Sequence, residues 1–353
     1  MRKLATIRIV DNLTPIPNAD RIETAWFGGW TVIVQKGLHE IGKKVMYIEV
    51  DSCLPIDHPA FSSLAERGVK EIEGKKYHRL KTIKMKGQIS QGFVLPLNVI
   101  SDVEISDDAD KDYSEELGII KWDPELYSPT ACLAGNALRP FPSYLVPKTD
   151  EERVQNIPWI LNSDLSFEET LKMDGSSFTA YFCSTDEHPF GICSRNLQLK
   201  HEDEQNQDNV FVKIAAKYDI KNKLMACGRN LAIQGEVMGP GIQGNKEKFT
   251  ELDLFIFNVF DIDNQRELLP AERRKVVADL GLKHVPVLSE NVVLSTTFAN
   301  MEEILAHADG PSLVSNLREG VVFKCNSYDA INGREVVSFK AISNKFLLKN
   351  GDD

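Results

Sequence analysis

Short apolar runs separated by turn residues make up most of the first hundred residues of this chain. The runs are rich in β-branched side chains and include LATIRIV, WTVIVQ, KVMYIEV, YHRLKTIKM and GFVLPL. Regular short strands of this kind are typical of small barrels and sandwiches. The pattern therefore predicts a small β-barrel or sandwich of roughly five strands between residue 3 and about residue 100.

The second half of the chain alternates strand-like runs with shorter helical patterns. The strand-like runs include SSFTAYFC, LAIQGEVMG, LDLFIFNVFDI and EGVVFKC, and the helical patterns are NVFVKIAAKYDIKNKLMAC, PAERRKVVADLGL and MEEILAHA. Strands come in pairs rather than in strict strand-helix-strand order, which favours antiparallel sheets. The pattern predicts an α+β domain.

Two features mark a domain boundary between these halves. Residues 102–116 hold eight acidic residues and one lysine, as an exposed loop would. Proline-rich sequence follows, and TDEER then predicts a helix start, with Thr149 as the cap and Glu152 three residues on. We place the boundary near residues 130–140 and predict two domains, residues 1–130 and 131–353.

Composition and charge narrow the class of protein. The chain has 353 residues and a formal net charge of −11, which argues against nonspecific coating of nucleic acid. Residues 67–86, however, hold eight Lys and Arg against two Glu. That cluster predicts a nucleic-acid surface on the barrel, although a solvated strand face would look similar. The six cysteines show no C-x-x-C spacing, so we expect reduced thiols.

No targeting or membrane-spanning signal is visible. The amino-terminal run carries a charge and no small-residue cleavage site, and no apolar span reaches 18 residues. We expect an intracellular protein, cytoplasmic or nuclear, that is monomeric and does not bind a membrane.

The candidate chemistry begins at Lys172, which lies two residues before an Asp-Gly turn. Taken alone, K-x-D-G is a weak signal, because a lysine beside such a turn is usually structural. Further polar residues then follow in or beside apolar strand patterns, namely Arg195, Glu236, Phe257, Glu319, Lys324 and Lys340. Carboxylates and lysines are costly to bury singly, so mutual pairing or a charged ligand is expected.

This ordered set resembles the motifs of the covalent nucleotidyltransferases, which are ATP-dependent RNA ligases, DNA ligases and mRNA capping enzymes. The matching motifs are K-x-D-G, S-R-N, G-E, an aromatic strand ending in F-D-I, E-G-V-V-x-K and S-F-K, between residues 140 and 345. DNA ligases and capping enzymes carry an OB domain after the last lysine motif, whereas only 13 residues follow Lys340 here. With its β-rich amino-terminal module, the chain resembles the RNA ligase family first described from Deinococcus and also found in Naegleria.

The resemblance implies a fold and an activity. The implied fold class is α+β, with an amino-terminal OB-like β-barrel followed by an adenylyltransferase domain of ATP-grasp-like antiparallel sheets. The implied activity is ATP-dependent sealing of 3'-hydroxyl and 5'-phosphate RNA ends through lysyl-AMP and RNA-adenylate intermediates. ATP and Mg²⁺ or Mn²⁺ would be the cofactors, and RNA or a nicked duplex with an RNA 3'-hydroxyl strand the partner.

The resemblance also implies roles for individual residues. Lys172 would attack the α-phosphate of ATP as a neutral amine, with Lys340 or a bound metal lowering its pKa. The carboxylates of Asp174, Glu236 and Glu319 would hold the hydrated metal, and Glu236 and Glu319 would also bind ATP at its ribose hydroxyl. Asp174 and Lys340 would share in catalysis. The other implied contacts with ATP are made by Gly175 beside the nucleotide, Arg195 at ribose or phosphate, Phe257 stacked on adenine, and Lys324 and Lys340 on the phosphates.

Alternatives and one departure accompany these expectations. Phe255 is expected to be plain strand core. Many relatives read K-x-K in the last motif, whereas this chain has Ser338 in the first place. The stretch GPGIQG satisfies G-x-G-x-x-G, but no apolar helix follows, so we interpret it as a hairpin after Glu236. A DNA ligase, a capping-type enzyme and a noncatalytic OB-type RNA-binding protein are the alternative functions.

Overall fold

The computed structural model describes residues 3–101, 103–108, 111–123, 136–328 and 336–350. The chain divides into two compact units. The first consists of residues 1–128, 154–158 and 344–353, and the second of residues 129–153 and 159–343. The predicted boundary near residue 130 and the thiol of Cys132 lie outside the described residues, whereas five cysteines within them are free thiols.

The first unit is built almost entirely from short strands. They are β1 (Ala5–Ile9), β2 (Asn12–Pro15), β3 (Ile22–Phe27), β4 (Trp30–Gln35), β5 (Lys44–Ile48), β6 (Ser52–Pro55), β7 (Lys70–Ile72), β8 (Lys75–Arg79), β9 (Ile83–Met85), β10 (Gln88–Ser90), β11 (Phe93–Pro96) and β12 (Ile120–Lys121). They form sheets of order β1-β5-β11, β2-β3-β4 and β12-β6-β8-β7, plus the hairpin β9-β10. The strand count exceeds the predicted five partly because the run YHRLKTIKM is divided between β8 and β9.

Aromatic packing organises the core of this unit. Phe27, Trp30 and Tyr47 are fully buried, and the Tyr47 ring lies 5.6 Å from that of Phe27 and 6.1 Å from that of Trp30. The Asn156 side chain accepts hydrogen bonds from Trp30 and Arg8, each at 2.7 Å. These contacts explain why residues 154–158 group with this unit although they lie far along the chain.

The second unit contains two sheets. Its strands are β13 (Ala137–Pro140), β14 (Glu152–Arg153), β15 (Ser166–Lys172), β16 (Ser176–Phe182), β17 (Phe190–Cys193), β18 (Leu197–Leu199), β19 (Leu231–Met238), β20 (Asp253–Asp261), β21 (Arg266–Glu267), β22 (Lys283–His284), β23 (Val287–Val293), β24 (Gly320–Cys325) and β25 (Ser338–Ile342). The larger sheet has the order β13-β18-β17-β16-β19-β20-β21, with β22 paired to β20, and the five-stranded sheet has the order β14-β25-β24-β15-β23. Pairing is antiparallel except at β14-β25 and β20-β22, which confirms the predicted antiparallel α+β architecture.

Helices complete the fold. The α-helices are α1 (Val210–Lys217), α2 (Ile220–Ala226), α3 (Pro270–Asp279), α4 (Leu294–Thr297), α5 (Met301–His307) and α6 (Asn344–Asn350), and 3-10 helices occur at Pro59–Arg67, Leu97–Ile100, Val154–Asn156, Pro158–Asn162, Glu204–Asn206 and Gln243–Asn245. The single helix predicted from NVFVKIAAKYDIKNKLMAC is divided into α1 and α2 at Asp219, whose φ of 51° is left-handed. Within the described residues, no helix is long and apolar enough to cross a membrane.

The helix start predicted at TDEER was wrong. Residues Glu152–Arg153 form strand β14, which pairs in parallel with β25 through Glu152 opposite Phe339 and Arg153 opposite Lys340. Just before this strand, the carboxylate of Asp150 contacts Lys340 and that of Glu151 contacts Lys324. Tertiary pairing with strand β25 and its neighbours therefore overrides the local capping pattern.

The five-stranded sheet separates an apolar face from a charged face. Phe167, Phe323 and Phe339 are fully buried on one face, with the Phe323 and Phe339 rings stacked at 5.1 Å. Side chains alternate along a strand, so the neighbouring even-numbered residues of β15, β24 and β25 face the other way. We call that side the charged face, because it carries Lys172, Lys324 and Lys340.

Candidate active site

Lys172 is the last residue of β15, and the turn that follows leads directly into β16 of the larger sheet. It therefore lies where the five-stranded sheet passes into the larger sheet. Its register partner on β24 is Gly320, the residue after Glu319. The Lys172 Nζ lies 2.6 Å from Glu319 Oε2, with the two side chains 26% and 18% exposed. The lysine before the Asp-Gly turn thus takes part in a shielded ion pair.

The electrostatic surroundings of Lys172 differ from the expectation. Burial lowers the pKa of Lys172, but the carboxylates of Glu319, Glu236 and Asp174 outweigh it and hold the pKa above its usual value. Lys340 was one of the two cations expected to lower this pKa, and its ammonium lies 3.2 Å from Asp150 Oδ1. The surroundings of Lys172 therefore favour its protonated form, and added positive charge nearby would favour the neutral amine.

Glu236 lies near the same carboxylates and has a raised pKa. Burial raises the pKa of Glu236 to about 8; Lys172 opposes the rise, whereas Glu319 and Asp174 add to it. The backbone N–H of Gly175 donates a hydrogen bond to Glu236 Oε1 at 3.1 Å. A Cβ at Gly175 would lie 2.3 Å from the Val237 carbonyl oxygen, so only glycine permits this approach.

The donor set suits a hard cation. Asp174, Glu236 and Glu319 supply the carboxylate oxygens that Mg²⁺ and Mn²⁺ prefer. Burial raises the pKa of Glu236, and repulsion from the other two carboxylates adds to the rise. A divalent cation would relieve the repulsion between these carboxylates, so the three residues suit such an ion. Within the residues that the structure describes, no three His, Cys, Asp or Glu side chains lie close enough together to bind one ion directly, so these three carboxylates would hold a hydrated cation through water.

Asp174 has a partner that the sequence did not indicate. Lys246 Nζ lies 2.5 Å from Asp174 Oδ2, and both side chains are largely shielded. Lys246 belongs to the glycine-rich connection between β19 and β20, which pair as neighbours, as predicted for GPGIQG. The hairpin interpretation could have located Lys246, because the connection begins shortly after Glu236.

Phe257 lies at an irregularity in the larger sheet. The β19-β20 register changes from Gln234 opposite Asn258 to Gly235 opposite Ile256, which leaves Phe257 as an extra residue in a bulge. Phe257 is partly exposed and packs against an apolar cluster of Leu171, Met173, Met238, Phe255 and Val285. Two of these residues, Leu171 and Met173, flank Lys172 in sequence. Phe255 is buried, as expected.

Lys324 lies deep in a separate ion-pair network. It is 3% exposed, and its ammonium lies 2.8 Å from Glu267 and 3.1 Å from Glu151. Burial lowers the pKa of Lys324, but these carboxylates raise it above its usual value. Lys324 is opposite Glu168, four residues from Lys172 along β15, so the two Cα atoms are roughly 14 Å apart.

Ser338 occupies the first place of the last motif, where the resemblance led us to expect a lysine. It lies directly opposite Lys324 on β25, and its hydroxyl donates a hydrogen bond to Glu151. Glu151 therefore links Ser338 to Lys324. The sequence did not identify Glu151 or Glu267. Glu151 lies in the segment that was wrongly predicted to begin a helix, and Glu267 lies in the two-residue strand β21.

Asp150 joins the two remaining predicted cations. Its carboxylate lies 3.2 Å from Lys340 and 3.8 Å from Arg195, whose side chain is 45% exposed. The structure thus forms two neighbouring groups of predicted residues. Lys172, Asp174, Gly175, Glu236 and Glu319 are joined at the end of β15, and Lys340 and Arg195 meet at Asp150.

The chain is similar to known proteins over almost its whole length. A family model described as RNA ligase matches residues 165–342, and a model described as an OB-fold domain matches residues 4–97. These matches confirm the predicted OB-like amino-terminal fold. No curated protein matches the chain.

Solved structures of a Naegleria gruberi RNA ligase are similar along the entire chain. The form with PPi is 38% identical, covers 98% of each chain and has a TM-score of 0.85. A point mutant with ATP and Mn is 38% identical over 99% of this chain and 100% of that chain, with a TM-score of 0.85. A second mutant, with AMP and Mn, has the same identity, coverage and TM-score.

Proposed function

The chain belongs to the RNA ligase family, and from that premise we propose how its residues seal RNA. It is an ATP-dependent RNA ligase that uses a divalent cation, as the likeness to a ligase solved with ATP and Mn supports. One observation carries the residue-level proposal. A strand-end lysine is paired with one carboxylate and is under the influence of two others, and its two neighbours in sequence belong to the apolar cluster against which a partly exposed phenylalanine packs.

In the proposed first step, Lys172 becomes covalently adenylated. Its neutral Nζ attacks the α-phosphorus of ATP, a P–N bond forms, and the bond to pyrophosphate breaks as the amine proton is lost. Nearby carboxylates favour the ammonium form of Lys172, so one proton must leave before the attack. Glu319 at 2.6 Å is the nearest acceptor for this first proton, and the proton released as the P–N bond forms passes to solvent.

The carboxylates of Asp174, Glu236 and Glu319 would hold the cation, with water completing its coordination. When bound, a divalent cation supplies positive charge that lowers the pKa of Lys172 and offsets the charge of the phosphates. Burial favours the protonated form of Glu236. To hold the cation, Glu236 would have to lose that proton and act as a carboxylate. Lys246 keeps Asp174 in place through their ion pair.

The remaining residues would bind the nucleotide. Phe257 offers a face for adenine, with the Gly175 backbone close to the nucleotide. Lys340 and Arg195 would bind phosphate oxygens. Asp150 forms ion pairs with both cations, and a bound phosphate would replace it as their partner. We assign Lys324 an indirect electrostatic contribution to phosphate binding, because it is buried between two carboxylates.

Two further steps complete the reaction. An oxygen of the RNA 5'-phosphate attacks the phosphorus of lysyl-AMP, which releases Lys172 and gives RNA-adenylate. The RNA 3'-hydroxyl then attacks the 5'-phosphate, a phosphodiester forms, and AMP leaves. Lys340 would offset the charge that develops in these transfers.

We further propose the setting in which these steps occur. The substrate is a nicked duplex whose 3'-hydroxyl strand is RNA, and the enzyme acts as an intracellular monomer. Residues 1–130 form the nucleic-acid-binding domain and residues 131–353 the adenylyltransferase domain. The cluster of cations in residues 67–86 supports the first of these assignments.

Covalent labelling tests the proposal. The protein is incubated with α-labelled ATP and Mg²⁺ or Mn²⁺ and then denatured, and label on the chain is expected for the wild type and for the surface variant Lys275→Ala. Lys172→Ala should carry none. Equal labelling of Lys172→Ala would refute the assignment of the nucleophile. Faster sealing of a nick with a deoxyribose than with a ribose 3'-hydroxyl would instead indicate a DNA ligase.

A further inference from the structure

The connection between β19 and β20 brings a lysine to the carboxylates around Lys172. Lys246 Nζ lies 2.5 Å from Asp174 Oδ2, and the two side chains are 28% and 18% exposed. The steps proposed above give Lys246 no contact with a substrate. Its ammonium nevertheless lies against a carboxylate that is proposed to hold the cation.

Contacts on both sides of Lys246 hold the backbone from which its side chain extends. The Glu247 carboxylate is 8% exposed and accepts a hydrogen bond from the backbone N–H of Val314 at 2.8 Å. On the other side, the Asn245 amide forms two hydrogen bonds with the backbone of Phe249, each at 2.9 Å. The Lys246 backbone is therefore fixed, whereas its flexible aliphatic stem allows the ammonium to change position.

The same connection contacts the surface proposed for adenine. The Phe249 ring lies 5.7 Å from the ring of Phe255, and Phe249 and Phe257 pack against one apolar cluster. Lys246 is three residues before Phe249 in the chain. A nucleotide that stacked on Phe257 and presented its α-phosphate to Lys172 would therefore bring phosphate oxygens close to the Lys246 ammonium.

Lys246 and the cation would compete for Asp174. The ammonium occupies Asp174 Oδ2, and like charges repel, so this ion pair opposes the approach of a second positive charge. ATP brings anionic phosphate oxygens to the same site. These oxygens accept charge-assisted hydrogen bonds from an ammonium as a carboxylate does. An exchange of Asp174 for a phosphate would thus preserve one such bond to Lys246.

Resting on the proposed function, we propose that Lys246 exchanges partners when ATP binds. A phosphate oxygen of ATP replaces Asp174 as the partner of Lys246, and Asp174 is then available to the hydrated cation. Lys246 thereby couples the binding of ATP to that of the cation, because each ligand favours the arrangement that the other needs. Such coupling is reciprocal, so the cation strengthens the binding of ATP by the same factor.

Opposite effects on two binding equilibria test this inference. Lys246→Met removes the ammonium and keeps an unbranched side chain. Calorimetric titration of the full-length protein with Mn²⁺ alone should show binding about tenfold tighter in the variant, since no ammonium competes for Asp174. At saturating Mn²⁺, the non-cleavable α,β-methylene analogue of ATP should bind about tenfold more weakly to the variant, since a phosphate has lost its charged partner.

Matched probes and variants separate this contact from general charge effects. Adenosine carries no phosphate and should bind Lys246→Met and the wild type equally. Lys248→Met removes an exposed lysine from the same connection and should resemble the wild type in both titrations. Lys246→Gln is a second variant, for which we expect the same results as for Lys246→Met. Unchanged melting temperatures verify that each variant is folded.

A purely structural role for Lys246 predicts a different sign. If Lys246 only held Asp174 in position, its loss would weaken the binding of both Mn²⁺ and the analogue, and that result would overturn the inference. Unchanged affinity for either ligand, an equally large effect of Lys248→Met, or an equal loss of adenosine binding would also overturn it.

The covalent labelling of wild-type protein by ATP is independent of these titrations. Failure of that labelling would refute the proposed adenylation. Labelling of the wild type together with unchanged binding by Lys246→Met would refute only the exchange of partners.

Discussion

The ion pair between Lys172 and Glu319 should control how readily the lysine loses its proton. Glu319→Gln keeps the shape of the side chain and removes its charge. The pKa of Lys172 stands above its usual value because three carboxylates outweigh burial. Removal of the nearest carboxylate must therefore lower that pKa, and Lys172 must become nucleophilic at lower pH.

The size of the change follows from the geometry. The Nζ to Oε2 distance is 2.6 Å, and the pair is 26% and 18% exposed, so solvent screens it only in part. A hydrogen bond to a charged group contributes about 1.5–3 kcal/mol. Since about 1.4 kcal/mol corresponds to a factor of ten, the fraction of Lys172 in the neutral form at a given pH should rise about tenfold to a hundredfold.

The assay does not depend on catalysis. Full-length protein without ATP is acylated with an amine-specific reagent over a range of pH, and the modification of Lys172 is quantified by mass spectrometry. Glu267→Gln is the matched control, because it removes a carboxylate that is bound to Lys324 instead. An unchanged pH profile in Glu319→Gln, or an equal shift in Glu267→Gln, would refute the electrostatic reasoning.

Two further substitutions test the packing around the site. Glu267→Gln should lower the free energy of unfolding by about 1–3 kcal/mol, since Lys324 is 3% exposed and would lose a charged partner. Urea denaturation measures the loss, and an equally large effect of Asp279→Asn, in an exposed pair with Lys275, would contradict it. Gly175→Ala should slow lysyl-AMP formation about a hundredfold, because its Cβ would lie 2.3 Å from the Val237 carbonyl oxygen. Single-turnover labelling measures that rate, and near wild-type labelling would show that the turn tolerates a side chain.

The order of the motifs along the chain indicated Lys172 and Glu319, and the strand patterns placed them at the end and at the start of a strand. The two residues meet at the end of β15. The sequence did not identify Asp150 or Lys246, which lie in irregular segments, and for Lys246 the predicted hairpin after Glu236 was the available signal. The capping pattern at Thr149 was misleading, since only the folded chain brings β14 to β25.

The pairing of β24 with β25 explains why the last motif has a serine, Ser338, in its first place. Ser338 is directly opposite Lys324, and opposed Cβ atoms on neighbouring strands lie about 4.5–5.5 Å apart. A lysine at that position would place a second ammonium beside one that is 3% exposed. It would also compete for Glu151, which Lys324 and the Ser338 hydroxyl now share. Since like charges opposed across strands are destabilising, a small hydroxyl is the compatible residue once Lys324 supplies the positive charge from the neighbouring strand.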